Sequence, residues 1–404
     1  MKRVLFVDHV NRILGGAEIN LLELLSAAAA AQNWTVACAC VRDGLLSRRL
    51  AEMRILQWNY GFDPALNTFR LVGKKLSFVK GVRTMLALRE GRQMLADIIA
   101  QFHPDAVVTC TNKDHFCAAA LGRRLPTPFV WWVNDIVSPD FFAWPVRFAF
   151  RRQAFRGASR IVAVSEYARR ALLQEGLPER LITTIHNGLP LEHYRRTEPG
   201  FLRNQLGLPP HQPLAGLVGR YTPWKGQDFF LRLAQAWIRQ NQTGHFVLIG
   251  HAFNEDQAYE AALRRFVSEH GLSARVHFLP FQQNMAAVLS DLNLLVHASV
   301  LPEPFGRVII EAMAVGTPVL AARAGGVPEI ITHEVTGWLA EPGHLESYLA
   351  QLQKALLPGP DSARLAEAAR RLVQERFTLE QVRQKFESII AEATARGTPQ
   401  AQNS

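Results

Sequence analysis

The sequence lacks the glycine and aspartate signatures of several common nucleotide-binding and metal-dependent sites. No Gly-x-Gly occurs in its 404 residues, which removes the dinucleotide-binding fingerprint and the glycine loop of kinases. The one Gly-Lys pair, Gly73–Lys74, lacks the upstream glycine of a phosphate-binding P-loop. No two aspartates lie two positions apart, so an Asp-x-Asp arrangement for a divalent ion is also missing. These absences exclude ordinary NTPases and leave a metal site without its simplest support.

Cysteines and long apolar runs are also scarce. Cys38, Cys40, Cys110 and Cys117 lie in or near apolar runs without paired metal-ligand spacing, which predicts reduced, buried thiols in a cytoplasmic protein. The N-terminal MKRVLFVDHV has too short an apolar stretch for a signal peptide. No apolar run approaches the roughly 18–20 residues that span a bilayer. The sequence therefore predicts neither direct secretion nor a membrane-spanning helix.

Positive charge is concentrated in the first half of the chain. Lys and Arg number 45 against 35 Asp and Glu, a formal net charge of +10. Residues 1–190 contain 25 basic and 15 acidic residues, whereas residues 191–404 contain 20 of each. Within the first half, residues 70–92 hold seven cations and one acid, and residues 141–160 hold five cations, no acid and interleaved aromatic residues. Such stretches suit an anionic membrane surface or a nucleic acid, and equally a solvated face over core aromatics.

Short apolar runs alternate with helix-like segments along nearly the whole chain, which is typical of parallel sheets covered by helices on both faces. The predicted fold class is therefore α/β, with two doubly wound domains. The helix-like segments include residues 17–31 and 88–102. The candidate strands are 4–10, 35–41, 106–110, 128–133, 160–165 and 181–186 in the first half, and 214–220, 245–250, 275–281, 292–299 and 317–324 in the second.

The domain boundaries are predicted from composition. Residues 186–214 are rich in proline and glycine and poor in periodicity, which indicates a linker. We therefore expect an N-terminal domain at residues 1–190 and a second domain at residues 191–378. The remaining residues, 379–404, are expected to form a helix that crosses back to the first domain, followed by a frayed tail.

The most informative segment is residues 301–331, LPEPFGRVIIEAMAVGTPVLAARAGGVPEII. It follows a candidate strand, and a helix is expected to begin near Gly306, with the backbone N–H groups of residues 306–309 directed at the crevice above the strand ends. Such a helix start can bind a diphosphate. Glu303 and Glu311, with seven residues between them, can reach opposite ends of one ligand. A carboxylate suits the hydroxyls of a sugar or a ribose and does not suit a phosphate.

This segment resembles the retaining, metal-independent glycosyltransferases of GT-B fold in family 4, whose Glu–seven–Glu motif appears here as EPFGRVIIE. Further motifs agree: GGAE at 15–18, VSEYAR at 164–169, HNG at 186–188 and VGRYTPWKGQD at 218–228. The resemblance implies two Rossmann-like, doubly wound domains facing across a cleft. In that arrangement the N-terminal domain binds the acceptor and the second domain binds the nucleotide sugar.

The resemblance also implies roles for single residues. Glu311 is expected to hold the ribose hydroxyls, and Glu303 a hydroxyl of the transferred sugar. Arg220 and Lys225 are expected to neutralise the departing diphosphate. The reaction itself also requires such cations, apart from the resemblance. Breaking the bond to the anomeric carbon adds negative charge to the β-phosphate, and no metal is expected to stabilise it. The assigned catalytic residues are thus Arg220, Lys225 and Glu303, and the assigned donor-binding residues are Gly16, Gly219, Phe305, Gly306, Arg307, Val308 and Glu311.

The sequence departs from the family pattern at two places. Where many relatives carry His-Asp after the fourth strand, this chain has Asn134–Asp135, and asparagine can bind a hydroxyl but cannot take a proton. Asn134, Asp135 and His115 are the candidate contacts to the acceptor or the sugar. Where the linker motif carries Asp, this chain has Pro190, which would stiffen a hinge. His297 is a further candidate cleft residue, although a lone histidine is more often structural.

Together these features predict a retaining, metal-independent glycosyltransferase that moves a hexose from a nucleoside diphosphate sugar to a glycan or lipid-linked acceptor of the cell envelope. No cofactor is expected besides the sugar nucleotide. A carboxylate nucleophile for double displacement is not evident, which favours same-face substitution in which the leaving phosphate oxygen helps to deprotonate the acceptor hydroxyl.

The expected location is the cytoplasm, with peripheral attachment at the inner face of the membrane, and nucleic acid is the less favoured partner. Two alternatives remain: a nucleotide-sugar epimerase on the same fold, and a non-catalytic protein that binds an anionic polymer.

Overall fold

The chain folds into two units, each built around one parallel sheet. The first unit is Met1–Asn187 together with the C-terminal segment from Leu379, and the second is Gly188–Thr378. The computed structural model describes residues 1–10, 15–61, 78–253, 256–356 and 360–396.

The first unit alternates strands and helices along the sequence. Its described strands run parallel in the order β3-β2-β1-β4-β5-β6-β7. They are β1 (Lys2–Asp8), β2 (Trp34–Cys40), β3 (Leu56–Asn59), β4 (Ala106–Thr109), β5 (Phe129–Val133), β6 (Arg160–Ala163) and β7 (Ile182–Thr184). The helices are α1 (Gly16–Ala30), α2 (Leu45–Glu52), α3 (Phe78–Phe102), α4 (Asn112–Leu121), α5 (Trp144–Gly157), α6 (Glu166–Gln174) and α15 (Leu379–Arg396).

Continuous apolar runs place the centre of this sheet in the core. All five residues of β5, FVWWV, are buried, as expected for a parallel strand covered on both faces. The edge strand β3, LQWN, is short, and its Leu56 is 51% exposed. It was not predicted because it has no apolar run. The predicted first strand extended to residue 10, but β1 ends at Asp8, which leaves His9 in the loop at the carboxyl end of the sheet.

The last helix, α15, packs on the first unit. The Phe386 ring meets the Trp132 ring of β5 at a centroid distance of 4.8 Å, and Glu392 forms an ion pair with Arg160 at 3.2 Å. Leu189 lies where the chain enters the second unit, and Phe377 lies where it leaves. The N–H of Leu189 donates to the carbonyl of Phe377 at 2.9 Å. The start and the end of the second unit therefore lie side by side.

The second unit repeats the pattern with a smaller sheet. Its described strands are parallel in the order β10-β9-β8-β11-β12-β13. They are β8 (Leu214–Val218), β9 (His245–Ile249), β10 (Val276–Leu279), β11 (Leu294–His297), β12 (Val319–Ala322) and β13 (Trp338–Ala340). The helices are α7 (Phe201–Leu206), α8 (Gln227–Arg239), α9 (Gln257–Glu269), α10 (Met285–Ser290), α11 (Arg307–Ala314), α12 (Val327–Ile330), α13 (Leu345–Leu356) and α14 (Pro360–Arg376).

Helix α8 shows how this core forms. Phe229, Phe230, Leu233 and Trp237 recur at helical spacing and are all buried, whereas Arg232 on the other face is exposed. The strand β13 was not predicted because its apolar run, WLA, is three residues long, whereas the equally short β7 lies within the longer run 181–186. The predicted fold class, α/β with two wound parallel sheets, is confirmed.

Candidate functional site

The loop after β8 is held in place by a glycine. A 3₁₀ turn, Pro223–Lys225, ends at Gly226, whose φ is +72°. A Cβ on Gly226 would lie 2.0 Å from the carbonyl oxygen of Ala298, so no other residue fits without a backbone shift. The N–H of Val300 also donates to the carbonyl of Trp224 at 2.9 Å. The loop that carries Lys225 is thus fixed against the segment that follows β11.

That contact brings Lys225 and Glu303 together, 78 positions apart in sequence. The Lys225 Nζ lies 2.9 Å from Oε1 and 2.7 Å from Oε2 of Glu303, and 4.3 Å from the centre of the Trp224 ring. The same Oε2 accepts hydrogen bonds from His297 Nε2 and from Ser299 Oγ, each at 3.1 Å. One carboxylate therefore receives an ammonium, an imidazole and a hydroxyl, and it is itself buried.

These partners determine the charge of Glu303. Burial raises the pKa of this carboxyl, but the Lys225 ammonium and the His297 hydrogen bond outweigh burial and hold the pKa well below its usual range. Since a carboxylate only accepts hydrogen bonds, the proton of His297 lies on Nε2. Its Nδ1 is buried and has no hydrogen-bond partner among the described residues. The geometry keeps Glu303 ionised and its two oxygens fixed.

The backbone of Glu303 is also fixed by a glycine. Gly325 has a φ of +66°, and a Cβ there would lie 2.1 Å from the carbonyl oxygen of Glu303. The next N–H, of Gly326, donates to that oxygen at 2.8 Å. Gly325 of the sequence motif is therefore required for the close packing of two loops, a role that the motif alone did not assign.

Helix α11 begins at Arg307, directly after Gly306, whose φ of +104° favours glycine. We expected the backbone N–H groups of residues 306–309 to be available to a ligand. The N–H of Ile309 is not, because it donates to the Gly306 carbonyl at 2.9 Å. Val308 is half-buried. Phe305 is 2% exposed and its ring packs edge-on against Phe377, so its side chain belongs to the core and only its backbone can serve a ligand.

The second carboxylate of the motif has partners of its own. Glu311 Oε1 lies 2.7 Å from Arg307 Nε and 3.0 Å from the hydroxyl of Tyr194, and Arg307 also donates to that hydroxyl at 3.1 Å. Arg307 and Glu311 are both buried. Tyr194 comes from the segment predicted as a linker and gave no signal in the sequence, because it meets Glu311 only through the fold.

Arg220 lies in the loop that follows β8. Its guanidinium lies 5.0 Å from the centre of the Phe253 ring, and its carbonyl accepts a hydrogen bond from Gln227 at 2.8 Å. Gly219 precedes it with a φ of +154°, and nothing lies within 4 Å of the position that a Cβ would take. The backbone directly before Arg220 is therefore open on the side where a Gly219 Cβ would lie.

Three of the predicted residues lie on the first unit and are more exposed than its core. Gly16 begins α1, where the N–H of Gly15 donates to Glu18 Oε2 at 2.7 Å. Asn134 and Asp135 are half-buried after β5, and Asp135 Oδ2 accepts from Asn112 Nδ2 at 3.1 Å. These positions agree with a polar rim at the carboxyl end of the first sheet.

His115 does not belong to that rim. It is 1% exposed, its ring stacks on Trp131 at 4.7 Å, and its Nδ1 lies 2.7 Å from Thr109 Oγ1. Burial lowers its pKa to about 3, so it stays neutral. The assignment of His115 to acceptor or sugar contact is therefore wrong in this structure, because the imidazole is part of the core.

Two searches of the described residues were negative. No group of three or more His, Cys, Asp or Glu is placed to hold a metal ion. Among those same residues, no helix is both long enough and apolar enough to cross a bilayer.

Comparison with known proteins gives matches to both units. The model "Glycosyltransferase Family 4" matches residues 14–193, and the model "Glycosyl transferases group 1" matches residues 200–372. A D-inositol 3-phosphate glycosyltransferase from Mycolicibacterium paratuberculosis is 34% identical over 231 residues, which are 56% of this chain and 51% of that protein. The match to this curated relative thus spans about half of its length.

Solved structures match over nearly the whole chain. The crystal structure of HepE from Anabaena in complex with UDP and glucose has a TM-score of 0.83 at 27% identity and covers 97% of this chain and 100% of HepE. A sucrose-phosphate synthase from Thermosynechococcus elongatus, with a TM-score of 0.81 at 20% identity over 98% of this chain and 100% of its own, shares the fold. With one family model on each unit and these structural neighbours, the chain belongs to the group 1, family 4 glycosyltransferases of GT-B fold.

Proposed function

We propose that the protein transfers a hexose from a nucleoside diphosphate sugar to a glycan or lipid-linked acceptor. The observation that carries this proposal is the fixed pair of Lys225 and Glu303 directly before the first turn of α11, with Glu311 farther along the same helix. A cation, a helix N-terminus and two carboxylates in this order match the parts of a sugar nucleotide. The cation and the start of the helix bind the diphosphate, and the carboxylates bind the hydroxyls of the sugar and the ribose.

The proposed chemistry uses charge in place of a metal. When the anomeric bond breaks, negative charge grows on the β-phosphate, and Lys225 and Arg220 stabilise it. Lys225 is already desolvated in part, with 23% of its side chain exposed, so its interaction with a phosphate is stronger than in water. Glu303 holds the ammonium in place and accepts a hydroxyl of the sugar. We propose that the reaction retains anomeric configuration through same-face substitution.

We propose UDP-glucose as the first donor to test. The HepE structures contain UDP, glucose and UDP-glucose, and their identity to this chain is 26–27%. Stabilisation by a ligand grows as RT ln(1 + [L]/Kd), so thermal unfolding with a panel of nucleotide sugars will rank the donors. We expect a rise in Tm with the true donor that EDTA does not change.

The control is a matched pair of carboxylates. Glu311→Gln should lose the donor-induced rise in Tm, whereas Glu269→Gln, an exposed position of α9, should keep it. NMR of the product's anomeric proton then tests retention. No stabilisation by any nucleotide sugar would contradict the proposal, and conversion of the donor to its epimer without an acceptor would favour the epimerase.

We further propose that the protein works at the inner face of the membrane, with α5 as the contact. Trp144, Phe148 and Phe155 are 65%, 49% and 49% exposed on one side of this helix, and the first two rings stack at 5.3 Å. Exposed Arg151 lies 5.8 Å from the Phe155 ring, and exposed Arg152 follows it. Aromatic and basic groups side by side suit an interface with anionic lipid.

Most of the other basic stretch, residues 70–92, lies outside the residues whose side chains are described, so α5 alone supports this proposal. Vesicles with anionic lipid should pellet the protein in low salt, and neutral vesicles should not. Trp144→Ala with Phe148→Ala should reduce pelleting several-fold. The exposed pair Phe281→Ala with Val335→Ala, on the second unit, serves as the control. Equal pelleting of all variants would remove α5 from the contact.

A further inference from the structure

Tyr194, Arg307 and Glu311 form a closed set of hydrogen bonds within the second unit. Arg307 Nε donates to Glu311 Oε1 at 2.7 Å, and the Tyr194 hydroxyl donates to the same oxygen at 3.0 Å. Arg307 Nη2 donates to the Tyr194 hydroxyl at 3.1 Å. An arginine only donates hydrogen bonds, so the tyrosine accepts from Arg307 and gives its own proton to the carboxylate.

Burial makes each of these hydrogen bonds important. The side chains of Arg307 and Glu311 are 7% and 8% exposed, and Tyr194 is half-buried. In such surroundings a hydrogen bond is stronger than in water, and an unpaired donor or acceptor is costly. The Tyr194 hydroxyl serves both charged groups at once. Neither charged side chain can therefore turn away without leaving a hydrogen bond unmade.

The backbone holds Tyr194 in place from both sides. Pro190, with a φ of −72°, precedes the 3₁₀ turn Leu191–His193, and the Tyr194 N–H donates to the carbonyl of the first residue of that turn at 3.1 Å. Two residues farther on, Arg196 Nη1 donates to the carbonyl of Gly316 at 3.0 Å, just beyond the end of α11. This part of the predicted linker is therefore fixed to the helix that carries Glu311.

A carboxylate that binds a ligand gains from being held in advance. A glutamate side chain has several rotatable bonds, and their freedom is lost when a ligand fixes the carboxylate. Arg307 lies one turn before Glu311 and restrains it from the same helix only. Tyr194 reaches the carboxylate from a different segment. The two donors together fix the direction in which Glu311 can meet a ligand.

We propose that Tyr194 is a positioning residue, which holds the Glu311 carboxylate ready for the ribose of the sugar nucleotide. The inference rests on the proposed function, and it adds a residue of the predicted linker to the donor site. In this role Tyr194 acts through Glu311 and not by contact with the nucleotide. Tyr194, Arg307 and Glu311 all belong to the second unit, so the argument needs nothing from the first.

The test removes one hydroxyl from the protein and the hydroxyls from the ribose. Calorimetry measures the binding of UDP and of 2′,3′-dideoxy-UDP, and the wild type should prefer UDP. We expect Tyr194→Phe to weaken the binding of UDP by about 3–10-fold. Binding of the dideoxy compound should stay within about twofold, because it lacks the hydroxyls that Glu311 holds. A purely structural role would weaken both ligands by the same factor.

A second tyrosine–carboxylate pair of the same unit provides the control. The Tyr259 hydroxyl donates to Asp228 Oδ1 at 2.9 Å, on helices α9 and α8. Tyr259→Phe should leave the affinity for both ligands unchanged. Glu311→Gln should reduce the preference for UDP at least as much as Tyr194→Phe does.

The outcomes separate the inference from the proposed function. Thermal unfolding first establishes that Tyr194→Phe is folded. If this variant then binds UDP as tightly as the wild type, or loses affinity for both ligands equally, Tyr194 does not position Glu311 and the inference is overturned, while the proposed transfer stands. If the wild type binds neither UDP nor UDP-glucose, both the inference and the proposed function are wrong.

Discussion

The buried acids at the carboxyl ends of the two sheets have neighbours of opposite charge. In the second unit each carboxylate of the Glu–seven–Glu motif is paired with a cation: Glu303 with Lys225 and Glu311 with Arg307, both at 2.7 Å. In the first unit, by contrast, Asp8 and Asp114 lie close to one another. Buried carboxyl groups thus have a cation as their neighbour in the second unit and another acid as their neighbour in the first.

The pKa values record this difference. The Lys225 ammonium and the His297 hydrogen bond outweigh burial and lower the pKa of Glu303, whereas burial, Glu18 and Asp114 all raise the pKa of Asp8. A cation held by a fixed carboxylate can be shared with an incoming phosphate. A cluster of ionised acids, by contrast, repels a phosphate. The comparison therefore predicts that an anion binds more readily at the carboxyl end of the second sheet than at that of the first.

Net charge alone would have suggested the reverse. The first half carries the whole excess of positive charge, yet the edge of its sheet is acidic, and exposed arginines lie instead on α5, at Arg151 and Arg152. The second half is neutral overall but places Lys225 in its site. The sign of a domain's charge describes its surface and its partners at long range, and the charge of its site depends on a few placed residues.

The largest expected effect comes from removing the cation of the second unit. Lys225→Met keeps the length of the side chain and leaves Glu303 buried without its counter-charge. We expect kcat/KM to fall by about 10²–10³-fold. Stability should fall by about 3–5 kcal/mol, because an unpaired charge remains in the interior. Chemical denaturation and steady-state kinetics measure the two effects separately.

A double variant and a surface pair sharpen this prediction. Lys225→Met with Glu303→Gln should recover most of the stability and none of the activity. The exposed pair Lys354–Glu334 has the same 2.7 Å separation, with side chains 54% and 51% exposed. Lys354→Met should therefore cost at most about 1 kcal/mol. Activity restored in the double variant would contradict the role given to Lys225.

The sequence predicted the sheets better than the site. Apolar strands such as β1 and β5 were found, since a buried parallel strand is apolar throughout. The strand β3 has no apolar run, and the apolar run of β13 is only three residues long. Strand ends were extended by one or more residues, because apolar side chains continue into the loops. That error counted His9 as part of a strand.

Contacts between distant residues limit what a motif can reveal. The Glu–seven–Glu spacing is local and pointed to Glu303 and Glu311 directly. The partners of Glu311 include Tyr194, which is 117 positions away, and His9 pairs with Asp114, which is 105 positions away. His115 was proposed for the wrong reason: its type suggested chemistry, but burial against Trp131 decides its role. Residue type and spacing therefore predict those parts of a site whose residues are close in sequence, and not those that only the fold brings together.

The smallest expected effect tests the acidic edge of the first unit. The pKa of Asp8 is raised on folding, so between the unfolded value of about 3.9 and the folded value the unfolded chain releases the proton first. Stability is therefore lost as pH rises through that window. Asp8→Asn removes this loss, and its amide oxygen can still accept the N–H of Val10, which bonds Asp8 Oδ1 at 2.8 Å. We expect Asp8→Asn to raise Tm by a few degrees at pH 8 and by less at pH 4.

The matched substitution on the second unit should have the opposite sign. The pKa of Glu303 is lowered on folding, so its stabilisation is present above the unfolded value of about 4.3 and is lost as pH falls. Glu303→Gln should then lower Tm at pH 8 and have less effect at pH 4. Thermal unfolding of both variants across this range, with hydrogen exchange to separate the two units, checks the pair of signs. If Asp8→Asn were less stable than the wild type at pH 8, the ionised Asp8 would not be destabilising. The contrast between the acids of the two sheets would then be wrong.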